Sequence, residues 1–209
     1  MKILIVAGMP VDFSLLSYDF LIGVDYGNVN LLAQGLKPDV AVGDFDSVSP
    51  DEFEKIQKAS RKLVKLPAQK DDTDLEVALD LAFEQFPNAE IQIVGALGGR
   101  MDHFLNNIFL PTTARYRQHA DQISLVDEQN AIFYLHAGRH HLQALPTMKY
   151  IGFMQLDTGD SLAIESAKYP LKAKDNFKTI YTSNEFIGQE MTVTIDKGML
   201  IVIYTKDKK

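Results

Sequence analysis

The chain has no cysteine and no tryptophan among its 209 residues. Without cysteine it can form no disulfide, no thiolate metal site and no thiol nucleophile, and a reducing compartment, the cytoplasm, is expected. Long apolar runs are missing too. The opening stretch Met1-Lys2-Ile3-Leu4-Ile5-Val6-Ala7-Gly8 is too short for a leader, and Pro10 and Asp12 follow at once. Nothing approaches the roughly 20 apolar residues of a membrane span. Positive charge is scarce, with 21 Lys and Arg against 28 Asp and Glu and a formal net charge of −7. Nucleic acids and membrane surfaces are met by clustered Lys and Arg, so neither is an expected partner. The basic cluster Lys206-Asp207-Lys208-Lys209 reads as a solvated tail. No G-x-x-x-x-G-K-[ST] loop occurs, and no G-x-G-x-x-G follows the first apolar run. That excludes the common P-loop and argues against the usual dinucleotide fold.

What is present is a hydrophobic content of 46%, enough to bury a proper core. Strand-length apolar runs recur at residues 3–7, 20–24, 40–42, 63–66, 91–96 and 123–126. Helix signals lie between them. Ser49-Pro50-Asp51-Glu52 combines an N-cap, a proline at the first helical position and a glutamate three residues after the cap. Thr73-Asp74-Leu75-Glu76 is a second capping box, and Leu75, Ala78, Leu79, Ala82, Phe83 and Phe86 after it form the apolar stripe of an amphipathic helix. A third helix is predicted after Asp102, with Leu105, Ile108 and Phe109 inward and Pro111 kinking or ending it. Alternating strands and helices predict an α/β domain over residues 1–128, with a doubly wound, mostly parallel sheet. Residues 129–209 change to short alternating segments at 131–136, 150–156, 161–165, 191–195 and 199–204. The turn signals Ala137-Gly138, Thr158-Gly159-Asp160 and Asp196-Lys197-Gly198 separate them, which predicts an all-β sandwich domain.

Three polar clusters each follow an apolar run: Gly43-Asp44-Phe45-Asp46-Ser47, Lys70-Asp71-Asp72-Thr73-Asp74 and Gly98-Gly99-Arg100-Met101-Asp102-His103. Parallel strands would deliver all three to one edge of the sheet, where open α/β sheets bind ligands. So many carboxylates at one edge raise one another's pKa unless cations neutralise them. Mg²⁺ suits that role, because it takes one or two carboxylates and completes its shell with water and substrate phosphates. Phosphate-transfer chemistry is the reading this supports. In extended backbone, Asp44 and Asp46 would face one side while Phe45 points inward. Capping alone could account for Asp72 or Asp74. Gly95-Ala96-Leu97-Gly98-Gly99 would let backbone amides approach a phosphate, with Arg100 as a forked cation. Adjacent His140 and His141 point to opposite faces of a strand and are read as surface residues.

In order and spacing these residues resemble the thiamine pyrophosphokinase family, together with Asp25-Tyr26-Gly27, Pro38-Asp39, Lys168-Tyr169-Pro170-Leu171 and Ser183-Asn184-Glu185. That family transfers the terminal pyrophosphoryl group of ATP to the hydroxyethyl group of thiamine, giving thiamine diphosphate and AMP. The resemblance implies an α/β domain followed by a β-sandwich, in a homodimer that holds thiamine between the α/β domain of one subunit and the β domain of the other. Carried over residue by residue, it makes Asp44, Asp46 and Asp74 ligands of Mg²⁺, and Asp71, Arg100 and Asp102 the catalytic set. It assigns Asp25, Lys70, His103 and Asn130 to the nucleotide, and Tyr169, Ser183 and Asn184 to thiamine. The chain departs from the family at Tyr26 and Asn28, where small residues are usual, and it lacks the tryptophan that some members stack on thiamine. Two rival functions are a pyrophosphokinase for another hydroxymethyl heterocycle, such as a dihydropterin, and a thiamine or nucleotide sensor without turnover.

Overall fold

Ile3, Leu4, Ile5 and Val6 make up nearly all of the first strand, β1 (Lys2–Val6), and none is more than 1% exposed. Burial on both faces is what a parallel sheet covered by helices requires. A computed structural model of the chain describes residues 1–13, 16–156 and 161–208. The chain separates into two units, one of Met1–Leu110 with Leu125–Asp127, the other of Pro111–Ser124 with Glu128–Lys209.

After β1, the elements that build the first unit are β2 (Phe20–Val24), α1 (Gly27–Ala33), β3 (Val40–Gly43), α2 (Pro50–Ala59), β4 (Lys62–Lys65), α3 (Asp74–Gln85), β5 (Glu90–Val94) and α4 (Met101–Phe109), and β6 (Ile123–Val126) ends in it. Strands β1 to β4 lie side by side in chain order, all parallel, and β5 pairs in parallel with the other flank of β1. The reversal between β1 and β5 makes a topological switch point, and the crevice at the carboxyl ends of these strands is where such a sheet takes its ligand.

Both predicted capping boxes are present. Ser49 and Glu52 exchange hydrogen bonds at the start of α2, and Thr73 and Glu76 do so at α3. Each cap contributes about 1 kcal/mol. Helix α4 ends at Phe109, and Pro111 sits in the 3₁₀ turn Leu110–Thr112. One prediction needs correcting here. Ile108 is buried, but Leu105 and Phe109 are 45% and 37% exposed, and Met101 is 66% exposed. Residues four apart stack on one helical face, so 101, 105 and 109 form a single outward stripe. The periodicity marks that stripe as apolar but does not say what covers it.

The second unit is antiparallel and comprises β7 (Asn130–Gln143), β8 (Tyr150–Gln155), β9 (Leu162–Glu165), β10 (Ile180–Asn184) and β11 (Glu190–Thr205). Along its length β11 pairs with β7, while its first half also pairs with β9 and its second half with β8. The halves β9-β11-β7 and β10-β8-β11-β7 thus share two long strands, the all-β sandwich class the alternation predicted. Two of the predicted turns are absent. The chain runs straight through Ala137-Gly138 within β7 and Asp196-Lys197-Gly198 within β11, and the register shifts between Ile195 and Met199 instead. A bulge absorbs the extra residues and bends the strand pair without reversing it. The third predicted turn, Thr158-Gly159-Asp160, lies outside the described residues. No helix among the described residues is long and apolar enough to cross a membrane.

Candidate active site

Asp25 follows β2, Asp44 follows β3 and Asp74 opens α3, and one carboxylate oxygen of each lies within 4.8 Å of the other two. Local backbone sets this up. Asp25 has a left-handed conformation (φ +46°), its N–H donates to the Val42 carbonyl at 2.8 Å, and the Ser47 hydroxyl donates to its Oδ2 at 2.7 Å. Its Oδ1 is buried and has no hydrogen-bond partner among the described residues. Asp74 sits in the first turn of α3, where the helix dipole favours an anion and the Thr73–Glu76 box fixes the entry of the chain.

Phe45 is left-handed as well (φ +59°), which corrects the extended geometry expected between Asp44 and Asp46. The inversion carries the phenyl ring into the core against Phe53, with ring centroids 5.0 Å apart. Strain of about 1–3 kcal/mol is offset by burial worth about 2–3 kcal/mol. As a result Asp44 enters the cluster, whereas Asp46 is exposed outside it and offers its backbone N–H to Asp44 Oδ1 at 3.1 Å.

Lys70 bridges two of the three acids, with Nζ 2.9 Å from Asp74 Oδ1 and 3.4 Å from Asp44 Oδ2. One ammonium leaves the cluster two charges short of neutral. Burial pushes the Asp25 carboxyl above its ordinary value, the Ser47 hydrogen bond pulls it partly back, and the fields of Asp74, Asp44 and Asp46 push it up further. Burial alone would lower the Lys70 ammonium, but Asp74 and Asp44 outweigh it and raise its pKa. An all-carboxylate donor set with one buried, unpartnered oxygen fits a hard divalent cation.

These acids line a cavity of about 590 Å³ that also takes in Lys70, Gly98, Gly99, Arg100 and His103. Gly98 (φ +112°) and Gly99 (φ +72°) turn the chain into α4, whose N-cap, Arg100, makes no side-chain cap bond. The first-turn amides and the helix dipole therefore suit an anion. The exposed Arg100 guanidinium grips Asp102 with two bonds, Nη2 to Oδ2 at 2.6 Å and Nε to Oδ1 at 3.2 Å. That grip, with the His103 backbone N–H, holds the Asp102 carboxyl down at about 2.

The remaining predicted residues lie elsewhere. Asp71 is exposed beside the cavity and is not among the residues that line it. Asn130 opens β7 in the second unit and accepts from Thr205 Oγ1 at 2.8 Å. Tyr169 and Ser183 line a second cavity of about 530 Å³, within the second unit, with Tyr150, Tyr181, Glu185 and Asp207. Asn184 is buried, and its carboxamide is used internally: Oδ1 accepts from the Tyr169 and Glu185 N–H groups and Nδ2 donates to the Tyr169 carbonyl. It shapes the Tyr169 loop rather than the cavity wall. The resemblance assigns Asp25 to the nucleotide and does not foresee its place among the three acids. Ser47 enters the sequence reading only as the end of its cluster, and Asn28 only as a departure from the family, neither with a role at the site. The available signal was position, since Asp25 follows β2 as Asp44 follows β3.

Residues 14–125 match the family described as "Thiamin pyrophosphokinase, catalytic domain", and residues 139–200 match "Thiamin pyrophosphokinase, vitamin B1 binding domain". The chain is 39% identical over 189 residues to a thiamine pyrophosphokinase of Bacillus subtilis (strain 168), covering 89% of this chain and 87% of that protein. Among solved structures, a thiamin pyrophosphokinase family protein from Enterococcus faecalis superposes with a TM-score of 0.94 at 38% identity over the whole of both chains. A Bacillus subtilis thiamine pyrophosphokinase structure gives 0.81 at 34% identity, again over both chains entirely. Yeast thiamin pyrophosphokinase, at 14% identity and a TM-score of 0.79 over 98% of this chain and 86% of that one, shares the fold.

Proposed function

The chain belongs to the thiamine pyrophosphokinase family, and we propose that it works as a cytoplasmic homodimer that uses ATP as donor and Mg²⁺ as cofactor. Its activity is that of a thiamine pyrophosphokinase. The observation that carries the proposed site is the convergence of Asp25, Asp44 and Asp74, with an unpartnered buried oxygen, beside the Gly98-Gly99-Arg100 turn.

In this reading Asp44 and Asp74, joined by Asp25, hold Mg²⁺, and Asp46 stands at the exposed side of the same turn as a further candidate ligand. A cation bound there would neutralise charge on the transferred pyrophosphoryl group. Lys70, Arg100 and His103 bind phosphate oxygens, and Arg100 exchanges the Asp102 carboxylate for a phosphate of like charge and bidentate geometry. The thiamine hydroxyl, oriented by Asp71, attacks the β-phosphorus. A bond forms from that oxygen to phosphorus as the hydroxyl gives up its proton to solvent, the bridge to the α-phosphate breaks, and AMP leaves with the bridging oxygen. The choice of the β- over the γ-phosphorus rests on where the triphosphate is held. Asp25 and Asn130 are the proposed nucleotide-side contacts, and Tyr169, Ser183 and the loop fixed by Asn184 receive thiamine. A cation that is also aromatic suits a pocket of tyrosines with Glu185 and Asp207 in its wall. The exposed Met101, Leu105 and Phe109 stripe supports a dimer, and the absence of cysteine supports the cytoplasm.

The test is product analysis. Purified protein with ATP, Mg²⁺ and thiamine should release AMP and thiamine diphosphate in equal amounts, and a hydroxymethyl dihydropterin should give none. Failure of AMP release with thiamine would overturn the assignment, and activity that survives a chelator would overturn the metal.

A further inference from the structure

Asn28, in the first turn of α1, is completely buried, yet it lies outside both the acid cluster and the cavity lining. Its Nδ2 donates to the Asp25 carbonyl at 3.0 Å, and its backbone N–H donates to the same oxygen at 3.1 Å. The other end of the carboxamide, Oδ1, is buried without a hydrogen-bond partner among the described residues. Leaving one buried polar atom unsatisfied costs at least as much as the single bond made by Nδ2 returns, so an apolar side chain would serve stability better at this position. The adjacent strand gives up a side chain to accommodate the amide. A Cβ on Gly23 of β2 would lie 2.0 Å from Asn28 Oδ1 and 2.6 Å from its Cγ. Glycine inside a strand is itself unfavourable.

Two choices that weaken the fold therefore meet at Asp25, whose left-handed backbone needs holding and whose carboxylate belongs to the acid cluster. We propose that Gly23 and Asn28 form a positioning pair for Asp25: the carboxamide, seated over the bare Gly23 backbone, fixes the Asp25 carbonyl so that its Oδ1 stays aimed into the cation site. Ser47 holds Oδ2, the Val42 carbonyl holds the N–H, and Asn28 holds the carbonyl, so every other polar group of Asp25 is tied. A ligand fixed in advance binds its cation without reorganisation. The inference rests on the cation role proposed above.

Three variants test it: Asn28→Ala, Gly23→Ala and the double variant. Each is read by calorimetric titration with Mn²⁺ in the absence of substrates, by thermal melting, and by kcat and KM for AMP formation. Asn28→Ala should lose about 10-fold in Mn²⁺ affinity, the usual effect of removing a partner that orients a ligand. Its kcat should fall, its KM for thiamine should hold, and its melting temperature should stay near that of the parent. Gly23→Ala should lose the same affinity and also melt lower, because the new methyl collides with the carboxamide. In the double variant the methyl occupies the space the carboxamide leaves, and the nearest atom outside residue 28 is Leu31 Cδ1, at 3.1 Å. Its melting temperature should recover while Mn²⁺ affinity and kcat do not. Recovery of affinity together with stability would make the pair mere packing and overturn the proposal, as would parental Mn²⁺ affinity in Asn28→Ala or no Mn²⁺ binding by the parent. A parent that binds Mn²⁺ but forms no AMP would refute the functional reading alone, and the titrations would still decide on Asn28.

Discussion

Asp25→Asn takes one charge out of the acid cluster and keeps the size of the side chain, and the metal-free protein should become more stable for it. With carboxylate oxygens within 4.8 Å of each other and an effective dielectric of about 20, each neighbour opposes Asp25 by about 3 kcal/mol. Lys70 is bonded to Asp74 and Asp44 and offsets much of that field, and salt screens part of the remainder. About 2 kcal/mol is left, equivalent to about 4–8 °C in a chain of this length. The pH dependence follows from the raised pKa of Asp25, whose causes are burial first and the neighbouring carboxylates after it, against the Ser47 bond. A carboxyl with a higher pKa in the folded state binds its proton more tightly there, so the stability it contributes is present below the unfolded value of 3.8 and is lost as pH rises through the folded value. The advantage of the asparagine variant should therefore be small near pH 4 and full at pH 7. Melting curves across that range, in EDTA and in Mg²⁺, measure it, and Mg²⁺ should raise the parent more than the variant. A variant that melts below the parent at pH 7 in EDTA, or an advantage that does not shrink in acid, would refute the electrostatic account.

Arg100→Lys keeps the charge but not the planar fork, and activity should drop by about 10-fold or more, because lysine cannot hold two oxygens in one plane; unchanged kcat and KM for ATP would leave Arg100 a purely structural role. Asp44→Asn should cost on the order of 10² in kcat, as loss of a transition-state electrostatic contact does, and Asp46→Asn much less, since its carboxylate lies outside the cluster; the reverse order would return Asp46 to the ligand set. If the proposed homodimer shares its sites between subunits, equal mixtures of an Asp44→Asn chain and a Ser183→Ala, Asn184→Ala chain should recover activity towards about a quarter of the parent after subunit exchange, because each mixed dimer would then have one intact composite site; no recovery would mean that each site is built within a single chain.

Elements whose cause is local could be read from the sequence. The first six strands run where the apolar runs lie, and α2 and α3 begin at their capping boxes, because strand burial and terminal N–H groups leave their mark in adjacent residues. Features set by distant partners could not. Gly138 and Gly198 look like turn residues in sequence, yet strand pairing with residues far along the chain turns them into a bend and a bulge. Leu105 and Phe109 have the spacing of a buried face, but spacing cannot say whether the cover comes from the same chain. At the site, Asp44 and Asp74 were visible as acids at strand and helix ends. The left-handed backbones of Asp25 and Phe45, which decide that Asp25 and not Asp46 joins them, come from Ser47, Asn28 and the Phe53 ring.

The long strand β11 also dictates when the second unit can fold during synthesis. β7, β8 and β9 all pair with β11, yet all three are made before it. Thr205 meets Asn130 across a separation of 75 residues, a stretch the ribosome takes roughly 4–15 s to complete at ordinary rates of elongation. The first unit has all its strands once residue 127 has emerged, so the two units mature at different times on the same nascent chain. Until β11 arrives, the earlier strands present unpaired edges to whatever else is in the cell, and a message cut short before Met199 would yield a sticky fragment rather than a smaller sandwich.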